Sequence, residues 1–293
     1  PGTESRLPRN RSPQQAGSAK TSRATRAAAT LWRAYPLEPL RLRIFLHNFL
    51  VVGAPPSAIA PAGLPAFPSL RALLQVCRNP GLSLISGFLV TLPVFLQAPW
   101  VRLAPFSAVL FTVPLLGLAL ALSRHPNPRA SRAGELLVGF CGSWLAGSLF
   151  WGWCRLHPVW HLPIEAFALP LALAGLQSRW KVACGFYLGS LLGTAATDAA
   201  IAGTGLMPSW PLILNAGSTE APLLLQAAAQ QVLAPQSLVL VVLCAAVLVQ
   251  GCRWLWGLGE VGRITSAALA TTLAVDALFL LAALGAPSLS GLI

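Results

Sequence analysis

The chain has 293 residues, of which 55% are hydrophobic and only 10% are charged, and its mean hydropathy is +0.68. Because ordinary soluble domains carry about a quarter charged residues, this composition excludes a plain soluble enzyme and, over most of the length, intrinsic disorder. We therefore expect an integral membrane protein whose principal partner is the lipid bilayer.

The net charge of +12 is concentrated at the start of the chain. Residues 1–78 hold eleven basic and two acidic side chains, whereas all later residues hold nine basic and six acidic ones. An arginine-rich, acid-poor segment beside an apolar body is typical of a tail that faces anionic headgroups or sets topology. We expect no nucleic-acid partner.

Residues 1–78 form the first predicted region, a basic disordered tail followed by a Pro-rich linker. The opening 26 residues are rich in Ser, Arg, Pro and Gln and show no apolar period. The apolar run at 41–52 is too short to cross a bilayer, and the run at 53–68 contains repeated prolines, which favour an extended linker.

Residues 79–293 form the second predicted region, an all-α transmembrane helix bundle. With the basic tail placed inside, seven basic residues fall in inner loops and two in outer loops, which predicts an inner N-terminus and an outer C-terminus. A further amphipathic helix at 219–234 is predicted on the outer surface, either as a lid or spacer or as a docking or gating element. The seven predicted spans are 81–98, 103–122, 135–154, 162–178, 182–206, 237–256 and 264–285.

The fifth span carries small residues at every fourth position, which allow another helix to approach closely on that face. A weaker pattern of Gly139, Ser143 and Gly147 in the third span makes the pairing of spans three and five one hypothesis. The helix-packing candidates, called the glycine seam below, are Gly185, Gly189 and Gly193. An adjacent polar stripe consists of Ser190, Thr194 and Asp198.

Three acidic residues, Glu165, Asp198 and Asp276, fall within predicted spans. On the predicted topology all three lie in the outer half of the membrane, and a carboxylate in hydrocarbon costs several kcal/mol unless it is protonated, paired or hydrated. We therefore expect a shared polar cavity, with His161 and Arg155 at its entrance. Each carboxylate also has a simpler explanation. Glu165 could lie at the membrane interface beside the N-terminus of its helix, whose positive end stabilises a carboxylate. Asp198 could bond back to Thr194 on its own helix and serve helix packing.

The sequence predicts no catalytic site, and it identifies no cofactor. His157, His161 and Glu165 recur at four-residue intervals, but Pro158 and Pro163 interrupt a continuous helix through them, so we expect no metal site. Phosphate-loop, nucleophile-elbow and zinc-protease motifs are missing from the sequence, which favours a protein that is not an enzyme. The six cysteines are expected to be buried free thiols.

Four segments carry a family resemblance: LPVFLQAPWVR (92–102), GSLFWGW (147–153), HLPIEAFALP (161–170) and FYLGSLLGTAATD (186–198). Together they resemble a family of cyanobacterial integral membrane proteins described as domain of unknown function 3120, over roughly residues 81–215. The resemblance implies the plasma or thylakoid membrane of a cyanobacterium. It implies no activity.

The leading functional hypothesis is small-solute or ion binding and transport through the outer-facing cavity. In it Asp198 and Asp276 are protonatable or cation-coordinating groups, Ser190 and Thr194 are supporting ligands, and His161 and Arg155 form the entrance pair. The alternative is a scaffold or assembly factor for a photosynthetic or other membrane complex. In that case the glycine seam and the amphipathic helix hold a membrane-protein partner or a second copy of the chain.

Overall fold

The computed structural model describes residues 81–289, and every regular element within that range is helical. The predicted tail and linker lie outside the described residues. The longer helices have these bounds: α1 Leu82–Leu103, α2 Pro105–Ser123, α3 Pro128–Cys154, α4 His161–Glu165, α5 Leu169–Gly175, α6 Lys181–Gly203, α7 Ser209–Asn215, α8 Ala221–Val232, α9 Pro235–Trp256 and α10 Gly259–Gly285.

Five of these helices, α1, α2, α3, α9 and α10, are long and apolar enough to cross a membrane. They correspond to the predicted spans one, two, three, six and seven. The fifth predicted span is the 23-residue helix α6, which is about 34 Å long but is not among those five. The count of seven spans and the orientation of the termini stay predictions.

The predicted fourth span, 162–178, is not one continuous helix. It consists of α4 and α5, which are separated by a turn at 166–168. Pro170 explains the break, because a proline has no N–H for the helical ladder and its ring clashes with the carbonyl four residues earlier, here that of Ala166. Pro163 is tolerated because it lies in the first turn of α4, where backbone N–H groups have no helical partner.

Neighbouring contacts fix the directions of the helices. Gly185 of α6 faces Val261 of α10 and Gly193 faces Thr272, so α6 and α10 run parallel. The α4–α5 pair runs antiparallel to α6, since His161 contacts Asp198 near one end and Ala168 bonds to Tyr187 nearer the other. The broken pair therefore runs back along the middle of α6.

The glycine seam packs against α10, not against α3. A Cβ atom on Gly189 would lie 2.6 Å from the backbone oxygen of Thr265, so only glycine allows this approach. The third helix also packs on α6, through Gly139 of its own small-residue pattern, which lies against the backbone of Ala183. The hypothesis that spans three and five pack against each other is therefore confirmed, but the glycine seam is not the surface that joins them.

Helices α3 and α9 differ sharply in burial. More than half of the apolar window of α3 is buried (56%), including Trp144, whose indole Nε1 donates to the carbonyl of Ala108 at 2.9 Å. In α9 no residue is buried, and large side chains such as Leu243 and Val247 are exposed. A mainly apolar helix with an exposed surface fits a lipid environment, because exposing these side chains to water is unfavourable.

The predicted amphipathic segment at 219–234 forms α8. Its Ala229 is buried, and the Nε2 of Gln231 donates to the carbonyl of Thr204 at 2.8 Å. This bond satisfies one of the carbonyl groups that α6 leaves free at its C-terminal end. Helix α8 is therefore attached to the end of the bundle.

Candidate functional site

A cluster of ionisable side chains forms where α4 meets the second half of α6. His161 is the first residue of α4 and Glu165 is its last, so one helical turn places both side chains on the same face. Asp198 projects from α6 towards them. These three residues are called the His161 cluster below.

The imidazole of His161 lies between two carboxylates. Its Nδ1 is 2.9 Å from Oδ1 of Asp198, and its Nε2 is 3.5 Å from Oε1 of Glu165. The side chains of His161, Glu165 and Asp198 are 12%, 16% and 12% exposed, so little water screens them. This arrangement favours an imidazolium that donates from both ring nitrogens.

His161 lies outside the five candidate spans, and its pKa is raised from 6.5 to about 9. Burial alone lowers this pKa, but hydrogen bonds and charge attraction from Asp198 and Glu165 together outweigh burial. The imidazole is therefore protonated at neutral pH. With both carboxylates ionised, the cluster carries a net charge of −1.

Glu165 is held by α6 through both its side chain and its backbone. Thr194 Oγ1 donates to Oε2 of Glu165 at 2.7 Å. The hydroxyl of Tyr187 donates to the backbone oxygen of Glu165 and accepts from the N–H of Ala168 at 3.1 Å. Tyr187 thus satisfies backbone groups on both sides of the break between α4 and α5, which the interrupted helix leaves without partners.

Aromatic rings enclose His161 on its other side. The ring centroid of Phe150, at the end of α3, lies 4.2 Å from that of His161. Trp151 and Trp210 stack on each other with centroids 5.7 Å apart, and both lie within 6.3 Å of the imidazole. Aromatic faces attract cations, so this wall excludes water and still favours the imidazolium.

Asp276 belongs to a neighbouring site. Its Oδ2 accepts a hydrogen bond of 2.6 Å from Oγ1 of Thr197, across the contact between α6 and α10. Thr197 and Asp198 are consecutive on α6, so they point to different sides of the helix. The carboxylates that were expected to share one cavity therefore belong to two neighbouring polar centres on adjacent faces of α6.

The side chains of two predicted site residues, Ser190 and Arg155, form no hydrogen bond or ion pair with either centre. The side chain of Ser190 is half-buried and makes no hydrogen bond with any residue between 81 and 289. Arg155 forms no ion pair within that same range; its backbone oxygen instead accepts from Nε1 of Trp210 at 2.7 Å. His161 pairs with Asp198, and the role of Arg155 at the entrance stays a prediction, since its backbone bonds to Trp210 beside His161.

Two local expectations from the sequence are corrected. The spacing of His161 and Glu165 does have geometric meaning, because Pro163 fits the first turn of α4. Thr194 donates to Glu165 and not to Asp198. His157 is exposed, and the described residues contain no group of three His, Cys, Asp or Glu side chains arranged to hold a metal ion.

Tyr187 and the aromatic wall around His161 were not predicted from the sequence. Tyr187 could have been found from helical periodicity, since Tyr187, Thr194 and Asp198 are seven and eleven residues apart and share one face. Trp210 and Phe150 could not have been found in this way, because they come from different helices whose meeting depends on tertiary packing.

Comparison with known families gives one match. Residues 86–284 match the model of the family described as "Protein of unknown function (DUF3120)", and the chain belongs to that family. The match extends past residue 215 and includes both polar centres. No curated protein and no solved structure matches the chain.

Proposed function

We propose that this DUF3120 protein uses the His161 cluster to bind a proton or small cation and couples its movement to the passage of a small solute. The observation that carries the proposal is an imidazole held between carboxylates of two different helices, with all three side chains largely buried. Ionisable groups are costly in a bilayer protein, and ion or proton pathways are the usual reason for their presence.

The interrupted helix supports this proposal. In many transporters the coupling ion binds where a spanning helix is broken, because the break directs carbonyl groups and helix ends at the ion. Glu165 is the last residue before the break between α4 and α5, and Tyr187 joins the two sides of that break. A movement of α4 would therefore carry Glu165 with it.

The cluster links proton release to cation binding. While His161 is protonated, its imidazolium balances one of the two carboxylates. When the proton leaves, both carboxylates lose their counter-charge, and an incoming cation restores it. In this scheme Glu165 and Asp198 hold the cation, His161 holds the proton, and Thr194 orients Glu165.

Proton flux in vesicles tests the proposal. The purified protein would be reconstituted with a pH-sensitive dye inside the vesicles, and flux would be driven by a potassium diffusion potential. We expect Glu165→Gln and Asp198→Asn to lower the flux at least tenfold. The matched control is Glu135→Gln, which removes a carboxylate that pairs with Arg132 at 3.1 Å near the opposite end of α3. Unchanged flux in both cluster variants, with normal elution on size exclusion, would reject the proposal.

The proposal places the cluster towards the outer face of the plasma or thylakoid membrane of a cyanobacterium. The outer face follows from the distribution of basic residues in the loops. The choice of membrane and source follows from the family resemblance alone. Accessibility of His157, which is exposed beside the cluster, to a membrane-impermeant label in intact cells would test the outer placement.

The scaffold alternative loses one of its supports. The glycine seam is occupied by α10 of the same chain, so it is not open to a partner helix. Gly189→Leu would disturb the fold itself and cannot separate the two hypotheses. Stoichiometric recovery of a partner complex by native purification, together with a flux that Glu165→Gln leaves unchanged, would favour the scaffold.

A further inference from the structure

A half-open cavity of about 270 Å³ lies between α6, α9 and α10, beside the face of α6 that carries Asp198. At the density of liquid water it has room for about nine molecules. Val232 of α8 also contributes to its lining. The walls are mainly hydrocarbon and include Ile201, Val241, Leu248, Leu273, Phe279 and Leu280.

Asp276 supplies the only charged group among the described residues that line this cavity. Its Oδ2 is bonded to Thr197, and no basic side chain between residues 81 and 289 forms an ion pair with it. A carboxylate in apolar surroundings costs several kcal/mol unless a proton or cation compensates it. The cavity therefore combines an apolar volume with a demand for one positive charge.

We propose that this cavity binds a small organic ammonium ion, with its charged group at Asp276 and its apolar body against the hydrocarbon walls. Inorganic cations such as Ca²⁺ need six to eight oxygen ligands, whereas this lining offers one carboxylate and the hydroxyls of Thr197 and Thr204. The apolar walls match an organic body, whose burial contributes about 25 cal/mol per Å². A neutral acyl chain would match the walls but leave the carboxylate uncompensated.

The assignment identifies the class of solute for the proposed transport. Binding of the ammonium ion does not depend on the proposed function, and only its coupling to the proton rests on that function. Thr197 bonds to Asp276, and the next residue, Asp198, bonds to His161. Adjacent residues of one helix thus connect the cation in the cavity to the proton on the imidazole. A positive charge at Asp276 and a proton on His161 oppose each other electrostatically, as exchange requires.

Binding of radiolabelled phenyltrimethylammonium to the purified, detergent-solubilised chain tests the assignment. The permanent charge of this probe means that any pH dependence belongs to the protein. We expect Asp276→Asn to weaken binding at least tenfold. We also expect Ala245→Phe, which fills the cavity, to abolish binding, while Ala246→Phe, its exposed neighbour on α9, changes affinity less than twofold.

Three outcomes would overturn the assignment. The first is that the wild type shows no saturable binding of the probe, and the second is that the two phenylalanine variants lose equal affinity for it. The third is that neutral tert-butylbenzene competes as strongly as the unlabelled probe does. The last result would indicate a site for lipid chains. The phenylalanine pair keeps the test valid if Asp276→Asn fails to fold.

The binding assay uses no gradient, so its result is independent of proton flux. If the wild type binds no ammonium probe but shows normal proton flux, only the cavity assignment is rejected. Normal binding without flux in the wild type would reject the proposed transport function and leave the cavity assignment standing.

Discussion

Asp198 and Asp276 are the same residue type at the same height in two parallel helices, yet their surroundings differ. Each is the eighteenth residue of its helix, counted from Lys181 in α6 and from Gly259 in α10. Asp198 is buried and paired with an imidazole inside an aromatic enclosure. Asp276 has a single hydroxyl donor and lines a cavity.

The difference shows that depth in the bundle does not decide what a carboxylate does. A carboxylate whose counter-charge is built into the fold holds that charge in place, and the fold depends on it. Such a carboxylate becomes available to a mobile cation only when the histidine loses its proton, whereas a carboxylate without such a partner is available at any time. We therefore expect perturbation of the His161 cluster to act mainly on stability and proton flux, and perturbation of Asp276 to act mainly on ligand binding.

The largest expected effect comes from removing the shared imidazole. His161→Ala leaves two carboxylates in a buried site without their cation, which should cost about 3–5 kcal/mol of unfolding free energy near pH 7. The measurement is unfolding by SDS in mixed micelles. His157→Ala is the matched control, because this exposed histidine lies four residues earlier and makes no ion pair with a described residue. Equal losses in the two variants would contradict the assignment of His161 as the counter-charge.

A smaller effect is expected from pH. The pKa of His161 is about 9 in the folded protein against 6.5 ordinarily, so the proton stabilises the fold fully below pH 6.5. This contribution is lost as pH rises through about 9. We expect the unfolding free energy of the wild type to fall between pH 6.5 and 9, and the fall to be much weaker in His161→Gln. Parallel pH profiles for the two proteins would refute this assignment.

The smallest effect is expected from two matched threonine variants. Thr194→Val removes the donor to Glu165, and Thr197→Val removes the donor to Asp276. Each lost hydrogen bond should cost about 1 kcal/mol. We expect only Thr197→Val to change phenyltrimethylammonium affinity and only Thr194→Val to change proton flux. Identical responses in both assays would mean that the two centres act as one.

Much of the bundle could be predicted from local patterns. The apolar windows predicted the five long helices, and the position of Asp276 within its span followed from counting residues. The break in the fourth predicted span could also be predicted from the sequence, because Pro170 would disrupt the interior of a helix that begins at His161. The prediction of one continuous span relied on hydrophobicity and neglected the backbone N–H that Pro170 lacks.

The pairings across helices could not be predicted in the same way. The sequence indicates that Gly185, Gly189 and Gly193 form a packing face, but it does not say which helix meets that face. The partner α10 begins more than fifty residues after α6 ends. Likewise, the imidazole contact of Asp198 depends on the antiparallel course of α4, which only the assembled bundle determines.

The close contact along the glycine seam limits how the bundle can move. The backbone and side chains of α10 lie so near Gly189 and Gly193 that a Cβ atom at either position would collide with Thr265 or Thr272. Glycine at these positions therefore lets the two helices pack closely. Helix α9 contributes no buried residue and forms the opposite wall of the cavity. Because α9 has no buried residue, its movement away from this closely packed pair would widen the cavity with the least loss of buried contacts.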